Sequence, residues 1–261
     1  MVPAGSVAWH VFANPVTLFI GGVAAVLLEL AEPRVRHGVW DHSSFRADPL
    51  TRLKRTGLAA LMTVYGPQGP ARAMIEGVNR LHGRIEGRTA GGRAYRADDP
   101  ELLGWVQTTA SWGFLEAFAA FDRPVSSADR DLYYASIAPV AALYGAREAP
   151  RTEAETAALI ERMRPSLEPS ATLHEFLAAM RRVPALPPAV RLLQMPLLKA
   201  AVSLLPRELA EQLGLARDWR LGAIERGLVV AAARAAGRIE IRAWPSFGAR
   251  RRLGPVPVPE R

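Results

Sequence analysis

The sequence predicts an all-α protein, folded as a single multi-helix domain over residues 1–261. Apolar residues recur mostly at helical spacing along the chain. Short alternating runs joined by two-residue turns, which are typical of sheets, are scarce. A composition of 49% hydrophobic and 22% charged residues also provides enough apolar surface for a sizeable core.

The helical periods predict ten helices separated by glycine and proline. The densest motifs lie in a core of about 10–145, a further helical layer follows over about 151–236, and an extended tail is expected at 254–261. The predicted helices cover residues 15–30, 48–65, 69–86, 99–121, 127–144, 152–164, 170–181, 188–204, 206–214 and 216–236.

Two helix starts carry their own capping residues. Ser126 precedes the helix at 127–144, and Asp129 follows it at the spacing of a capping box. The segment DDPEL places acids at the positive end of the helix at 99–121. These residues predict sharp starts for both helices.

The charge of the chain is strongly positive, with a formal net charge of +8 that is carried mostly by arginine. The arginines are spread among acids, and the one dense run is Arg250–Arg252. A solvated surface is therefore expected, and no specific nucleic-acid recognition is predicted. An anionic partner bound through Arg250–Arg252 stays open as an alternative.

The lack of cysteine excludes disulfides, thiolate metal sites and a cysteine nucleophile.

The most apolar segment is VTLFIGGVAAVLL, from Val16 to Leu28. It is shorter than the roughly 18 residues expected of a membrane span, so it predicts a buried core helix. No secretory signal is recognised at the N-terminus, and we expect a cytoplasmic protein. Peripheral contact with a membrane stays open, and the sequence does not indicate an oligomeric state.

Several common catalytic motifs are absent from the chain. It has no glycine-rich phosphate loop, no H-E-x-x-H zinc motif and no G-x-S-x-G nucleophile elbow.

A histidine interrupts an apolar helix face. At 100° per residue, His82 falls within the face formed by Ile75, Val78, Leu81 and neighbouring apolar residues. A buried imidazole needs a hydrogen-bond partner or a metal. The pattern alone leaves two interpretations open: a core histidine bonded to a carbonyl, or a metal ligand.

The preceding predicted helix has a second, less apolar side. Arg52, Thr56, Ala59 and Thr63 follow each other at helical spacing beside the main apolar side. Small residues with two donors fit one wall of a pocket. An arginine and a threonine at an ordinary surface would fit the same pattern.

Four blocks in a specific order resemble the family of rubber oxygenases (latex-clearing proteins) and MpaB-type oxygenases. The resemblance covers roughly residues 10–145 and continues more weakly to the last predicted helix. The blocks read LAEPRVRHGVWDHSSFRADPLTRLKRT, VNRLHGRIEG, GRAYRADDPELLGWVQTTASWGFLEAF and RPVSSADRDLYYA.

The resemblance implies an all-helical domain that encloses a pocket for one haem b. His82 matches the family's proximal iron ligand. Arg52 and Thr56 match the family's distal block and would donate hydrogen bonds on the oxygen side. Arg55 stands where the family has a lysine, and we include it in the haem-binding set. An arginine is a poor iron ligand, so an open or water-bound iron is expected.

Further positions bear on the catalytic chemistry that the resemblance implies. His42 matches its block, either lining the pocket or serving a structural role. Glu29 and Glu32 are both candidates for the acid that takes a substrate proton. The chain departs from many relatives at Glu32, Gln107 and Glu86. The predicted catalytic set is Arg52, Thr56, His42 and Glu32.

The function that the resemblance implies is haem-dependent oxygenation. Dioxygen and an apolar small molecule, such as an isoprenoid, would be the reactants, and a carbon–carbon double bond would be cleaved. Two alternatives remain: a non-catalytic haem-binding or sensing protein on the same fold, and a cofactor-free helical interaction protein.

Overall fold

A computed structural model describes residues 1–239, 242 and 244–253 of the chain. These residues form an all-α domain with one short hairpin. The elements are α1 (Val7–Val11), α2 (Pro15–Ala31), α3 (Pro33–His42), α4 (Pro49–Tyr65), α5 (Gln68–His82), β1 (Glu86–Arg88), β2 (Ala94–Arg96), α6 (Pro100–Phe121), α7 (Ser127–Leu143), α8 (Glu153–Met163), α9 (Ala171–Arg182), α10 (Gln194–Val202), α11 (Arg207–Gln212), α12 (Ala223–Arg238) and α13 (Pro245–Leu253), with 3-10 turns at Arg164–Ser166 and Pro188–Leu193.

The all-α prediction is confirmed, and the longer helices lie where the periods place them. The bounds of α2, α4, α6, α7, α8 and α9 agree with the prediction to within one residue at each end. Ser126 caps α7 by accepting from Asp129 N at 3.1 Å, and Asp99 caps α6. Local capping therefore fixes these starts as predicted.

The predicted helix at 69–86 is too long. It ends as α5 at His82, and residues Glu86–Arg88 pair with Ala94–Arg96 as antiparallel strands. Gly87 lies opposite Tyr95, and a Cβ at Gly87 would come within 2.6 Å of the Tyr95 hydroxyl. The close tyrosine contact thus needs glycine, which favours the strand over a further helical turn.

Three further predictions are corrected. The stretch predicted as one helix at 188–204 begins as a 3-10 turn, and α10 starts only at Gln194. The helix predicted from residue 216 starts at Ala223. The prediction omitted the short helices α1, α3 and α13. The predicted tail at 254–261 lies outside the described residues.

Helix α2 forms the centre of the domain. Its side chains from Leu18 to Ala31 are largely buried, which confirms the predicted core helix. Helices α3, α9, α10 and α12 pack on it, and its longest contact is with α6. Where α2 and α6 cross, a Cβ at Gly21 would overlap the Gly113 carbonyl, and a Cβ at Gly113 would overlap the Gly21 carbonyl. The two backbones therefore touch.

The crossed pair separates two apolar clusters. One cluster joins α2 and α6 to the later helices α8–α12 through residues such as Leu27, Trp105 and Phe176. The other joins the pair to α1, α4, α5 and α7 through residues such as Leu115 and Ile75. The crossing thereby sets the position of α4 and α5 relative to α2.

Within the described residues, no single helix is long and apolar enough to span a membrane. Helices α2 and α3 together would meet that length and composition, but they are bent by 108° at their junction.

A methyl group at the crossing should destabilise the protein. We expect Gly113→Ala to lower the free energy of unfolding by about 3 kcal/mol, because the two backbones must separate to admit the Cβ. The control is Gly104→Ala on the same helix, where a Cβ meets no atom within 4 Å. Helix propensity should make that variant stabler by up to about 1 kcal/mol. Equal stability of both variants in urea denaturation would contradict the close crossing.

Candidate functional site

His82 is the last residue of α5 and is half-buried. Its Nδ1 atom is buried and has no hydrogen-bond partner. The predicted apolar face of α5 is buried at Ile75. At Leu81, near the end of the helix, the side chain is 60% exposed, so the prediction is wrong there. A buried imidazole nitrogen without a partner is costly unless another group binds the ring. His82 is therefore suited to a ligand that the protein alone does not supply.

The surroundings of His82 favour a neutral imidazole. Burial lowers the pKa of His82, and the positive charge of Arg52 lowers it further, while Asp98 opposes both effects. A neutral imidazole keeps a nitrogen lone pair free for a metal ion. The ring is thus held in the form that a metal requires.

Glu29 lies near the end of α2 and belongs to the same neighbourhood. Burial raises the pKa of the Glu29 carboxyl group to about 7, while Arg52 and Thr109 oppose this rise. The Thr109 hydroxyl group of α6 lies 3.5 Å from Glu29 Oε1, at the outer limit of a hydrogen bond, and makes its shorter bond to the Val106 carbonyl of its own helix, at 3.0 Å. A carboxyl group with this pKa can either give or take a proton near neutral pH.

Arg52 connects these two groups. It is half-buried in the first turn of α4 and acts electrostatically on both Glu29 and His82. The fold thus brings together one acid, one permanent cation and one imidazole from α2, α4 and α5.

The half of α4 that carries Arg52 and Thr56 is loosely covered. Residues 49–60 include no fully buried side chain, whereas the other half of the helix buries Leu61, Val64 and Tyr65. This arrangement leaves the first half of α4 free to contact another group beside His82. The haem pocket that the sequence predicts here stays a prediction.

Thr56 and Arg55 are exposed. The Thr56 hydroxyl donates to the Arg52 carbonyl of its own helix at 3.0 Å. This bond is a common way for a helical threonine to satisfy its hydroxyl. The predicted roles of Thr56 and Arg55 beside a haem stay predictions.

Glu32 has a structural task. It is fully buried, caps α3 by accepting from Val35 N at 2.9 Å, and accepts from Arg34 Nε at 2.7 Å. Arg34 also donates to Glu101 Oε2 of α6 at 2.8 Å. Both Glu32 oxygens are therefore engaged at the α2–α3 junction, so Glu29 is the stronger candidate for proton transfer.

His42 ends α3 and is exposed. Its Nε2 atom and the hydroxyl group of Tyr95 share a hydrogen bond of 3.0 Å. The bond ties α3 to the hairpin. The structure thus gives His42 a structural contact, and its predicted place in a pocket wall stays a prediction.

Sequence reasoning missed Thr109. It is completely buried on α6 beside the apolar residues Leu102 and Trp105 of the same helix. The sequence does contain a sign of this role. Thr109 follows Leu102 and Trp105 at helical spacing, and a hydroxyl group on such an apolar helix face needs a hydrogen-bond partner.

A protein-only metal cluster is not found. Among the residues that the structure describes, no three histidine, aspartate or glutamate side chains are grouped to hold a metal ion.

Comparison with known families identifies the chain. Residues 9–238 match the model of the family described as ER-bound oxygenase mpaB/B'/rubber oxygenase, catalytic domain. The chain belongs to this family. Membership supports oxygenase activity in general, which makes the protein an oxidoreductase. No curated protein matched the chain, and no solved structure matched it.

The shifted carboxyl group predicts a pH-dependent stability. In the unfolded chain Glu29 ionises near 4.5, but in the folded protein it keeps its proton until about pH 7. Stability is therefore lost as pH rises through this window. Relative to the wild type, Glu29→Gln should gain about 3 kcal/mol of unfolding free energy between pH 4.5 and pH 8. If the two proteins differ in unfolding free energy by the same amount at every pH in chemical denaturation, the raised pKa of Glu29 is contradicted.

Proposed function

We propose that this protein is a haem b-dependent oxygenase that binds the haem iron through His82. Its reactants would be dioxygen and an apolar small molecule, and the reaction would cleave a carbon–carbon double bond, as in an isoprenoid. The observation that carries the proposal is the neutral, half-buried imidazole with an unpartnered nitrogen beside Arg52. Membership of an oxygenase family supports it.

The donor set fits a haem better than a metal ion held by protein alone. A single imidazole can hold haem iron, because the porphyrin supplies the four equatorial nitrogens. His82 offers that imidazole, and the loosely covered half of α4 lies beside it. When bound, haem would supply the binding and activation of dioxygen.

Arg52 would provide electrostatic stabilisation. Its guanidinium group places a positive charge next to His82. A fixed charge in a partly water-excluded site stabilises negative charge that develops during oxygen chemistry. Thr56, one turn further along α4, would assist only if its hydroxyl group leaves the Arg52 carbonyl.

Glu29 would move the proton. With a pKa of about 7, its carboxylate can take a proton from a carbon next to the substrate's double bond and hold it on a carboxyl oxygen. Thr109 would hold Oε1 in place if its hydroxyl group leaves the Val106 carbonyl, and Arg52 would keep enough of the carboxyl group ionised to act as a base. A proton acceptor in a buried site suits a substrate that itself lacks charge.

A second candidate is a non-catalytic haem-binding or sensing protein. Two features favour it: the Thr56 hydroxyl is bonded within its own helix, and Glu32 is bound in an ion pair. Such a protein would bind haem but form no product from polyisoprene. Product analysis therefore separates the two candidates.

The haem ligand is tested by absorption spectroscopy. After haem reconstitution we expect an intense Soret band from the wild type, and loss or a strong shift of the band in His82→Ala. The matched control is His174→Ala, which removes an exposed histidine of α9 and should leave the band unchanged. A wild type without a Soret band would overturn the haem proposal and favour a cofactor-free interaction protein.

The proton acceptor is tested by comparing two carboxylates. Glu29→Gln should keep the Soret band but lose at least about a hundredfold in cleavage of an isoprenoid, because general base catalysis contributes that much. Glu32→Gln should instead lower stability by about 3 kcal/mol, because it removes one partner of a buried ion pair. Full oxygenase activity of the Glu29 variant would exclude Glu29 as the base.

A further inference from the structure

A basic cleft lies at the other end of α2. It is an open cleft of about 420 Å³, lined by Asp122, Arg123, Pro124, Arg234, Gly237 and Arg238. A neighbouring cleft of about 130 Å³ shares Gly237 and Arg238 and adds Arg250. The two clefts therefore form one continuous concave surface between α12, α13 and the end of α6.

This surface is separate from the candidate oxygenase site. The Asn14 side chain caps the start of α2 and donates to the Ala233 carbonyl of α12 at 2.8 Å. Glu29 follows fifteen residues later on the same helix, which corresponds to about 22 Å. A ligand in the basic cleft would thus not contact His82, Arg52 or Glu29.

Four exposed arginines line this surface, and Asp122 is the one carboxylate among its described lining residues. Asp122 Oδ2 is buried without a hydrogen bond, and Arg123 Nε lies 3.8 Å from it. Arg234 Nε donates to the Asp122 carbonyl at 3.2 Å. These contacts tether two of the arginines to the end of α6 and leave the surface with an excess of positive charge.

The other two arginines have no partner among the residues that the structure describes. Within the described part of the chain, Arg238 and Arg250 make no side-chain hydrogen bond or ion pair. His10 lies within electrostatic range of both Arg123 and Arg250, and burial together with these charges lowers its pKa. Several guanidinium groups thus converge on one concavity, and two of them make no contact with a described acceptor.

We propose that this cleft binds a phosphate group. Guanidinium groups donate paired hydrogen bonds that match phosphate oxygens, and several of them can neutralise its charge together. The adjoining cleft is lined by Ile239, Trp244 and Phe247. An apolar portion attached to the phosphate would pack there, so the ligand class is a phosphate ester with an apolar group. Its source is either a soluble ester or a lipid headgroup.

The test measures binding of two probes to the full chain. Inorganic pyrophosphate is titrated by calorimetry, and vesicles of phosphatidylcholine, with and without phosphatidic acid, are used in co-sedimentation. The test variant is Arg238→Gln with Arg250→Gln, which removes no side-chain hydrogen bond or ion pair between described residues. The control is Arg181→Gln with Arg191→Gln, which removes two exposed charges outside the cleft. Circular dichroism checks that both variants fold like the wild type.

We expect the cleft variant to bind at least about tenfold more weakly, because it lacks two charge-assisted donors, and the control to bind like the wild type. Pyrophosphate binding with this pattern would support a soluble phosphate ligand. The same pattern only with phosphatidic acid vesicles would support a lipid headgroup. Binding of neither probe, or equal weakening of both variants, would overturn the proposal.

Discussion

The contact on which the rest of the fold depends is the crossing of α2 and α6. Glycine at positions 21 and 113 lets the two backbones touch, and no other residue fits there without moving them apart. Because the helices are this close, Thr109 of α6 reaches Glu29 of α2. The same pair carries the apolar cluster that positions α4 and α5, and with them Arg52 and His82. The packing constraint and the candidate chemistry therefore have one structural origin.

The charged groups of the domain divide into two kinds. Glu32 and Arg34 form an ion pair that is fully satisfied and joins α3 to the end of α2 and to α6. Glu29 and His82 instead remain incompletely bonded, and each has a shifted pKa. A folded chain keeps such costly groups where they act on a ligand or substrate. This difference distinguishes the candidate site from the structural ion pair, which is more deeply buried.

Much of the fold could be predicted because long runs of helix-forming residues begin at a proline or a capping residue, as α2, α4, α6 and α7 show. Helix α3 could not, because it buries only Arg34 and Val35 and its cap is an unusual glutamate. In the site, the helical pattern singled out His82, and the family resemblance assigned Arg52 to the same pocket. The contact of Thr109 with Glu29 joins residues 80 positions apart, and only the helix crossing creates it. The pattern of a single sequence reports local spacing only, so it does not predict contacts between residues that are far apart along the chain.

The most direct test of the account is a crystal structure of the protein reconstituted with haem. The account predicts one haem with its iron bonded to an imidazole nitrogen of His82, and with Arg52 and Glu29 beside it between α2, α4 and α5. Iron bonded to a different residue, or a haem bound away from this group, would contradict it. Either of those results would mean that His82 is a histidine at the end of α5 that binds no cofactor.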